Sequence, residues 1–223
     1  MDFIHIAIDG PAGAGKSTVA KYVAKNLGIH HLDTGSMYRA LGLFALERGA
    51  DPADAAQVEV LLPEADITVS YDGKGAQRVW LNGQDRTDDL RTEAVSQAAS
   101  AVSLFPASRQ KLAALQRAVG DKYSIVMDGR DICTNVLPHT PHKFFVTASV
   151  DERTRRRMRQ LKRLGQEAKF AQVQADIRNR DAQDSGRDYM PLRREADTTL
   201  IDTTNITVWE AVEMILKKVK GEG

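Results

Sequence analysis

The amino-acid sequence predicts an α/β fold of three layers, with a central parallel sheet of about five strands and a small antiparallel hairpin insertion. Three observations lead there. The chain opens with a short apolar run, a glycine-rich turn and a helical repeat; similar apolar runs recur later, each followed by helical or polar turn residues; and one stretch breaks this rhythm with closely spaced turn dipeptides. Strands alternating with helices imply parallel pairing, because a parallel neighbour is reached only through a crossover.

Taken in order, Phe3-Ile4-His5-Ile6-Ala7-Ile8 is a β-branched and aromatic run ending at Asp9-Gly10, the pattern of a buried strand entering a turn. From Lys16 to Leu27, Val19, Ala20, Val23, Ala24 and Leu27 recur at helical spacing, and Gly28 supplies a stop. His30-His31-Leu32 before Asp33, Ser124 to Met127, Lys143 to Thr147 and Thr199 to Ile201 complete the five strands. The exception is Ile67 to Thr87, where Ile67 to Tyr71, Arg78 to Leu81 and Gln84 to Thr87 are joined by Asp72-Gly73 and Asn82-Gly83. Asn, Asp and Gly tolerate positive φ, so these dipeptides favour hairpins. Val208 to Val219 reads as a terminal amphipathic helix with Val208, Val212, Ile215, Leu216 and Val219 on one face.

At 223 residues the chain is long enough for one sizeable core, and a single domain with insertions is expected: a core of about 1–60, 97–152 and 195–220, an insertion at 61–96 and a further arginine-rich segment at 153–190. Lys plus Arg number 31 against 30 Asp plus Glu, so no global field points to nucleic acid. The single cysteine, Cys133, excludes an intramolecular disulfide and fits a reducing compartment, though it could serve as a reactive thiol. Residues 1–7 lack a basic leader and no 18 apolar residues run together, so a cytoplasmic protein with no membrane partner is expected.

The chemistry is carried first by Gly10-Pro11-Ala12-Gly13-Ala14-Gly15-Lys16-Ser17, which has the phosphate-loop spacing G-x-x-x-x-G-K-[ST] between an apolar strand and a helix. Glycines let successive N–H groups curl around phosphate oxygens, the helix start adds its positive dipole end, and the Lys16 ammonium can reach the β and γ phosphates. The donor site is thus expected at residues 10–17 with Thr18 beside it. Ser17 would hold a magnesium ion, Mg2+, and Asp128, ending the run Ser124 to Met127, is either that ion's aspartate or a plain strand-ending turn residue. A triphosphate site of this kind serves kinases, motors and switches alike. A guanine-reading [NT]-K-x-D segment is missing from the sequence, and a motor usually needs a longer chain.

Three further segments narrow the choice: Asp33-Thr34-Gly35-Ser36-Met37-Tyr38-Arg39, then Asp128-Gly129-Arg130-Asp131, then Arg180 through Arg187. In order and spacing they resemble the motifs of bacterial cytidylate kinases, and the resemblance runs from about Ile6 to about Lys217, including the hairpin insertion. It implies ATP as donor and CMP or dCMP as acceptor, with Arg39, Arg130 and Arg187 on the acceptor phosphate and Thr34 and Tyr38 lining that pocket. It further implies Ser100, Arg109 and Asp131 at the cytosine ring, and Arg180 and Asp184 at the sugar hydroxyls. Arginine suits phosphate because its planar fork meets two oxygens at once. A carboxylate and an arginine suit cytosine, which offers an amine donor beside acceptors; uracil would leave the carboxylate unpaired, so CMP and dCMP should lead UMP by a wide margin.

Without that resemblance, Arg39 and Arg109 would read as solvated helix residues and Arg180 with Asp184 as a surface pair at i, i+4. Arg153 to Arg163 places Arg153, Arg156, Arg157 and Arg163 at helical spacings, as in the lid that these kinases close over ATP; Arg153 and Arg157, with Lys16 and Arg130, are the expected charge-stabilising groups. A solvated helix or an RNA-binding face is the other reading of this segment, but no aromatics interleave for base stacking. Cys133 stands where the family commonly has glycine, a position at which a side chain could disturb the backbone. Histidines 5, 30, 31, 139 and 142 show no metal-ligand spacing and are read as structural. A monomer is the family-based expectation. The rival readings are a kinase for another small acceptor, such as another nucleoside monophosphate, shikimate or dephospho-coenzyme A, and a non-catalytic nucleotide switch or RNA-associated protein.

Overall fold

A computed structural model describes residues 3–163 and 165–221. Among them, β1 (His5–Asp9), β2 (His30–Asp33), β6 (Ile125–Gly129), β7 (His142–Thr147) and β8 (Thr199–Asp202) form one sheet of order β2-β6-β1-β7-β8. β1 pairs in parallel with β7, Ile6 opposite His142, and β7 with β8, Phe144 opposite Thr199. The predicted five strands are all present. The apolar run of β6 is continuous because both of its faces are covered, and every residue of it is buried. The first strand begins at His5 and not at Phe3, since Phe3 and Ile4 are 49% and 44% exposed.

The helices of this fold are α1 (Lys16–Leu27), α2 (Thr34–Glu47), α3 (Ala55–Leu61), α4 (Glu93–Val102), α5 (Pro106–Gly120), α6 (Val150–Arg163), α7 (Phe170–Gly186) and α8 (Val208–Lys220). α1 buries Val19, Ala20, Val23 and Ala24 of the stripe its sequence predicts, with Leu27 half-buried at its end, and Gly28 ends it in the left-handed conformation. α8 starts at a capping box, Thr207 and Glu210 satisfying each other's N–H groups, and buries Ala211, Val212 and Ile215. None of these helices is long and apolar enough to cross a membrane.

The chain divides into two compact units. One holds Ile29–Ile125 with residues 3–4. Here β3 (Ile67–Tyr71), β4 (Gln77–Leu81) and β5 (Gln84–Asp85) form the antiparallel sheet that the turn dipeptides predict. Asn82 and Gly83 both adopt positive φ, as a tight hairpin requires. The β3–β4 connection differs from expectation: it is a five-residue loop in which Gly75, not Gly73, takes positive φ, and the Asp72 carboxylate accepts the N–H groups of Lys74 and Ala76. β5 is also shorter than expected. The Asp85 carboxylate takes the Thr87 N–H and hydroxyl, which turns the chain out of the ladder. In the same unit α2 packs on α4 so closely at Gly42 that a Cβ there would lie 2.7 Å from the Ala99 nitrogen.

The second unit holds His5–Gly28 and the chain from Val126 onward. Its α6 and α7 share a small core of their own, Leu161, Val173 and Ile177, with Val150, Met158 and Ala168 packed around it.

Candidate active site

The turn from β1 into α1 has a shape that only glycine permits at its first position. Gly10 sits at φ +146, where an added Cβ would lie 1.9 Å from the Val146 carbonyl oxygen. Gly13 and Gly15 also take positive φ. Three of the loop's carbonyls are engaged by side chains: Lys16 Nζ donates to Pro11 O (2.8 Å), Arg153 Nη1 to Ala12 O (3.2 Å), and Arg156 Nη1 and Thr203 Oγ1 to Ala14 O (3.1 and 3.0 Å). A trans peptide points its N–H opposite to its C=O. With the Ala12 and Ala14 carbonyls drawn toward α6, the N–H groups of Gly13 and Gly15 are turned to the opposite side, as an anion cradle needs.

Lys16 is 5% exposed. Burial pushes its ammonium down to about 7, and the positive charge of Arg130 adds to this, against the pull of Asp128, Asp184 and Asp9. A polyphosphate would supply the negative charge that this lysine lacks. At the start of α1, Ser17 Oγ donates to Asp128 Oδ2 over 2.6 Å. The hydroxyl and carboxylate so placed fit a hard cation such as Mg2+, which takes one or two protein oxygens and fills its shell with water and phosphate oxygens. Thr18 and Ser17 are exposed at this helix start.

Asp9 was legible only as a strand end, but it anchors the next segment of the site. Wholly buried, it accepts the N–H groups of Ile132 (2.9 Å) and Cys133 (2.8 Å), tying β1 to the single π-helical turn Ile132–Val136 that follows Asp128 to Asp131. Burial first, then the Asp131 charge, pushes its carboxyl up to about 6. Asp131 is itself buried and accepts from Asn135 Nδ2 at 3.0 Å. Cys133 does not occupy a conformation that demands glycine: among the described non-glycine residues only Asn82 and Met190 have positive φ. Nor is it a reactive thiol, for it is 1% exposed and burial pushes its thiol far up, which keeps it protonated and inert.

Arg130 and Arg187 meet on Asp184. Arg130 Nε donates to Asp184 Oδ2 at 2.7 Å and Arg187 Nη1 lies 3.4 Å from Oδ1. Burial works to raise the Asp184 carboxyl, but Arg130, Arg187 and Arg180 hold it below the usual carboxylate range. Arg180 and Asp184 are thus no isolated surface pair; the carboxylate collects three arginines. On α6, Arg153 is 4% exposed and paired with Asp181 at 2.7 Å. Arg156 is tied to Thr203 and Glu152, and Arg157 donates to Gln160 Oε1 at 3.1 Å.

In the other unit, Arg39 pairs with Asp33 at 2.5 Å at the start of α2. Gln77 on β4 fixes this helix start, accepting from the Asp33 N–H (2.8 Å) and donating to Ser36 Oγ (2.7 Å). Nothing in the sequence around Gln77 signals that role. Thr34 is buried in the same turn. Arg109 is 1% exposed, its guanidinium 5.8 Å from the Tyr38 ring centroid and donating to Ser103 O at 3.3 Å, so it is no solvated helix arginine. Ser100, half-buried on α4, accepts from Ser103 Oγ through its carbonyl.

Comparison with known proteins gives the family. A family model described as cytidylate kinase matches residues 6–221. The cytidylate kinase of Symbiobacterium thermophilum is 47% identical over 212 residues, which cover 95% of this chain and 94% of that protein. The cytidylate kinase of Caldanaerobacter subterraneus subsp. tengcongensis is 45% identical over 223 residues, covering 98% and 97%. Among solved structures, an uncharacterized protein from Eubacterium ventriosum shares the fold with a TM-score of 0.53 at 17% identity, over 97% of this chain and 98% of that one.

Proposed function

The chain belongs to the cytidylate kinase family, and we propose that its reaction is transfer of the γ-phosphoryl group of ATP to the 5′-phosphate of CMP or dCMP, giving CDP or dCDP and ADP. The observation that carries this reading is a second cationic cluster in the unit that holds the donor loop: Arg130 and Arg187 gathered on Asp184. A donor loop alone would suit any protein that binds a triphosphate. A donor loop with a separate pair of arginines suits transfer from one phosphate to another.

The acceptor is already an anion, so the protein needs no general base. Its task is to hold two mutually repelling phosphates in line, spread their charge over cations and keep water out. Lys16 would meet the β and γ phosphates, and the loop N–H groups their oxygens. Ser17 and Asp128 would hold Mg2+, which supplies neutralising charge to the donor phosphates. Arg39, Arg130 and Arg187 are assigned to the acceptor phosphate, with Thr34 and Tyr38 beside it; Ser100, Arg109 and Asp131 to the cytosine ring; Arg180 and Asp184 to the sugar hydroxyls. The buried states of Arg109 and Asp131 support their role, since a base-reading group must be preset and shielded from water.

Residues 61–96 are assigned as the acceptor-binding insertion and 153–190 as the lid and acceptor-binding segment. Arg157 is assigned to the donor phosphates, while Arg153, buried on Asp181 and Ala12 O, acts through the loop's shape. A monomer acting in the cytoplasm is the proposed setting. The test is ADP release measured with ATP and a panel of acceptors: CMP, dCMP, UMP, AMP, GMP and shikimate. CMP and dCMP should stimulate release far more than UMP. A purine or shikimate preference would move the protein to another acceptor, and no stimulation by any of them would favour a nucleotide switch.

A further inference from the structure

We propose that Arg156 and Thr203 form a positioning pair for the phosphate donor, holding the Ala14 carbonyl against the end of the sheet and so setting the loop shape that receives ATP. The proposal rests on residues 10–17 being the ATP cradle.

Three glycines at positive φ leave the loop backbone intrinsically free, so its bound shape must be imposed from outside. Thr203 supplies a fixed point. It follows β8, and its N–H donates to Thr147 O at the end of β7 (2.8 Å), the strand that also pairs with β1. Its hydroxyl lies 3.0 Å from both Ala14 O and Thr147 O. One hydroxyl proton serves these two acceptors while Arg156 Nη1 donates to the same oxygen at 3.0 Å.

Arg156 completes the bracket with its remaining donors. Nη1 reaches Ala14 O at 3.1 Å, Nη2 donates to Thr203 O at 2.6 Å, and Nε is held by Glu152 Oε1 at 3.1 Å. All three guanidinium nitrogens are therefore committed to protein acceptors. An arginine serving as a mobile phosphate ligand would have to abandon this set. Both residues converge on the peptide between Ala14 and Gly15, and a flip of that peptide would turn the Gly15 N–H out of the cradle. A lysine cannot span the same acceptors, because its charge sits on one point with no planar fork.

The experiment compares binding of a non-hydrolysable ATP analogue, the KM for CMP and the melting temperature in wild type, Thr203→Val, Thr203→Ser, Arg156→Lys and the double variant Thr203→Val/Arg156→Lys. Thr203→Val removes a hydroxyl and no charge, so only a positioning role predicts that it weakens the analogue, by roughly tenfold. Arg156→Lys should lose a similar factor, the double variant no more than the larger single loss, and the KM for CMP should stay within about twofold in each, since the two act as one unit. Thr203→Ser should restore wild-type binding. Wild-type affinity in Thr203→Val, or single losses that multiply in the double variant, would overturn the proposal. If Arg156→Lys fails to fold, the contrast of Thr203→Val with Thr203→Ser decides. Wild type that does not bind the analogue overturns the cradle reading and this proposal with it; wild type that binds it alongside an unaffected Thr203→Val overturns this proposal alone.

Discussion

The donor loop at residues 10–17 and the antiparallel sheet at residues 67–85 both depend on glycine and turn residues, yet they are held in opposite ways. In the sheet the turns are secured by their own neighbourhood: Asp72 caps its loop, and the Asn82 side chain accepts the N–H of Asp66, 16 residues away. In the donor loop the carbonyls are secured by Arg153, Arg156 and Thr203, at sequence separations of 141, 142 and 189 residues. A connecting turn has only to reverse the chain, and local chemistry suffices for that. A loop that must offer N–H groups to a ligand needs its peptide planes fixed, and a flexible glycine segment cannot fix them itself.

That contrast can be broken most forcefully at Gly10. Gly10→Ala would place a Cβ 1.9 Å from the Val146 carbonyl, so it should cost more than about 3 kcal/mol of stability and abolish ATP binding together. A denaturant midpoint near wild type with ATP binding retained would show the loop to be far more yielding than its geometry implies.

Next in size is the effect of pH on the donor side. The Lys16 ammonium is lowered from its ordinary 10.5 to about 7 in the ligand-free protein, first by burial. Between those values the unfolded chain carries the proton and the folded chain does not, so this group's contribution makes folding more favourable as pH rises through that window. Bound polyphosphate favours the ammonium and should raise its pKa again. ATP binding at pH 8 should therefore take up close to one proton, and affinity should fall with rising pH by up to about tenfold per unit. Calorimetry in two buffers of different ionisation enthalpy measures the uptake, and an uptake of zero would mean that the lysine is already charged before the nucleotide arrives.

The smallest effect belongs to the local turn. Gly83 has φ +76 with open space around it, so Gly83→Ala should cost only about 1 kcal/mol in a denaturant titration and leave the KM for ATP unchanged. A large shift in that KM would erase the distinction between the two loops.

The same contrast explains how far the sequence could be read. The phosphate loop is contiguous, and its strand before and helix after carry their own periodicity, so β1, α1 and the loop were all legible. So was the Asn82-Gly83 hairpin, whose signal lies in two residues. The boundaries that shifted, Phe3 and the end of β5, were set by solvent exposure and by the Asp85 to Thr87 hydrogen bonds, neither of which leaves a periodic trace. Asp9, Gln77 and Thr203 were missed because each is a single polar residue whose meaning comes from a distant partner. Arg156 was visible as part of a basic helical stretch, but charge alone could not distinguish an arginine that reaches for phosphate from one that braces the loop.

The most direct test of the donor loop is Lys16→Ala, assayed for CDP formation from ATP and CMP and for melting temperature on the same preparation. The buried lysine contributes charge for the nucleotide at some expense to the fold, so the rate should fall by at least about 100-fold while the melting temperature stays at or above that of wild type. CDP formation within tenfold of wild type would contradict the assignment of residues 10–17 as the phosphoryl-donor site.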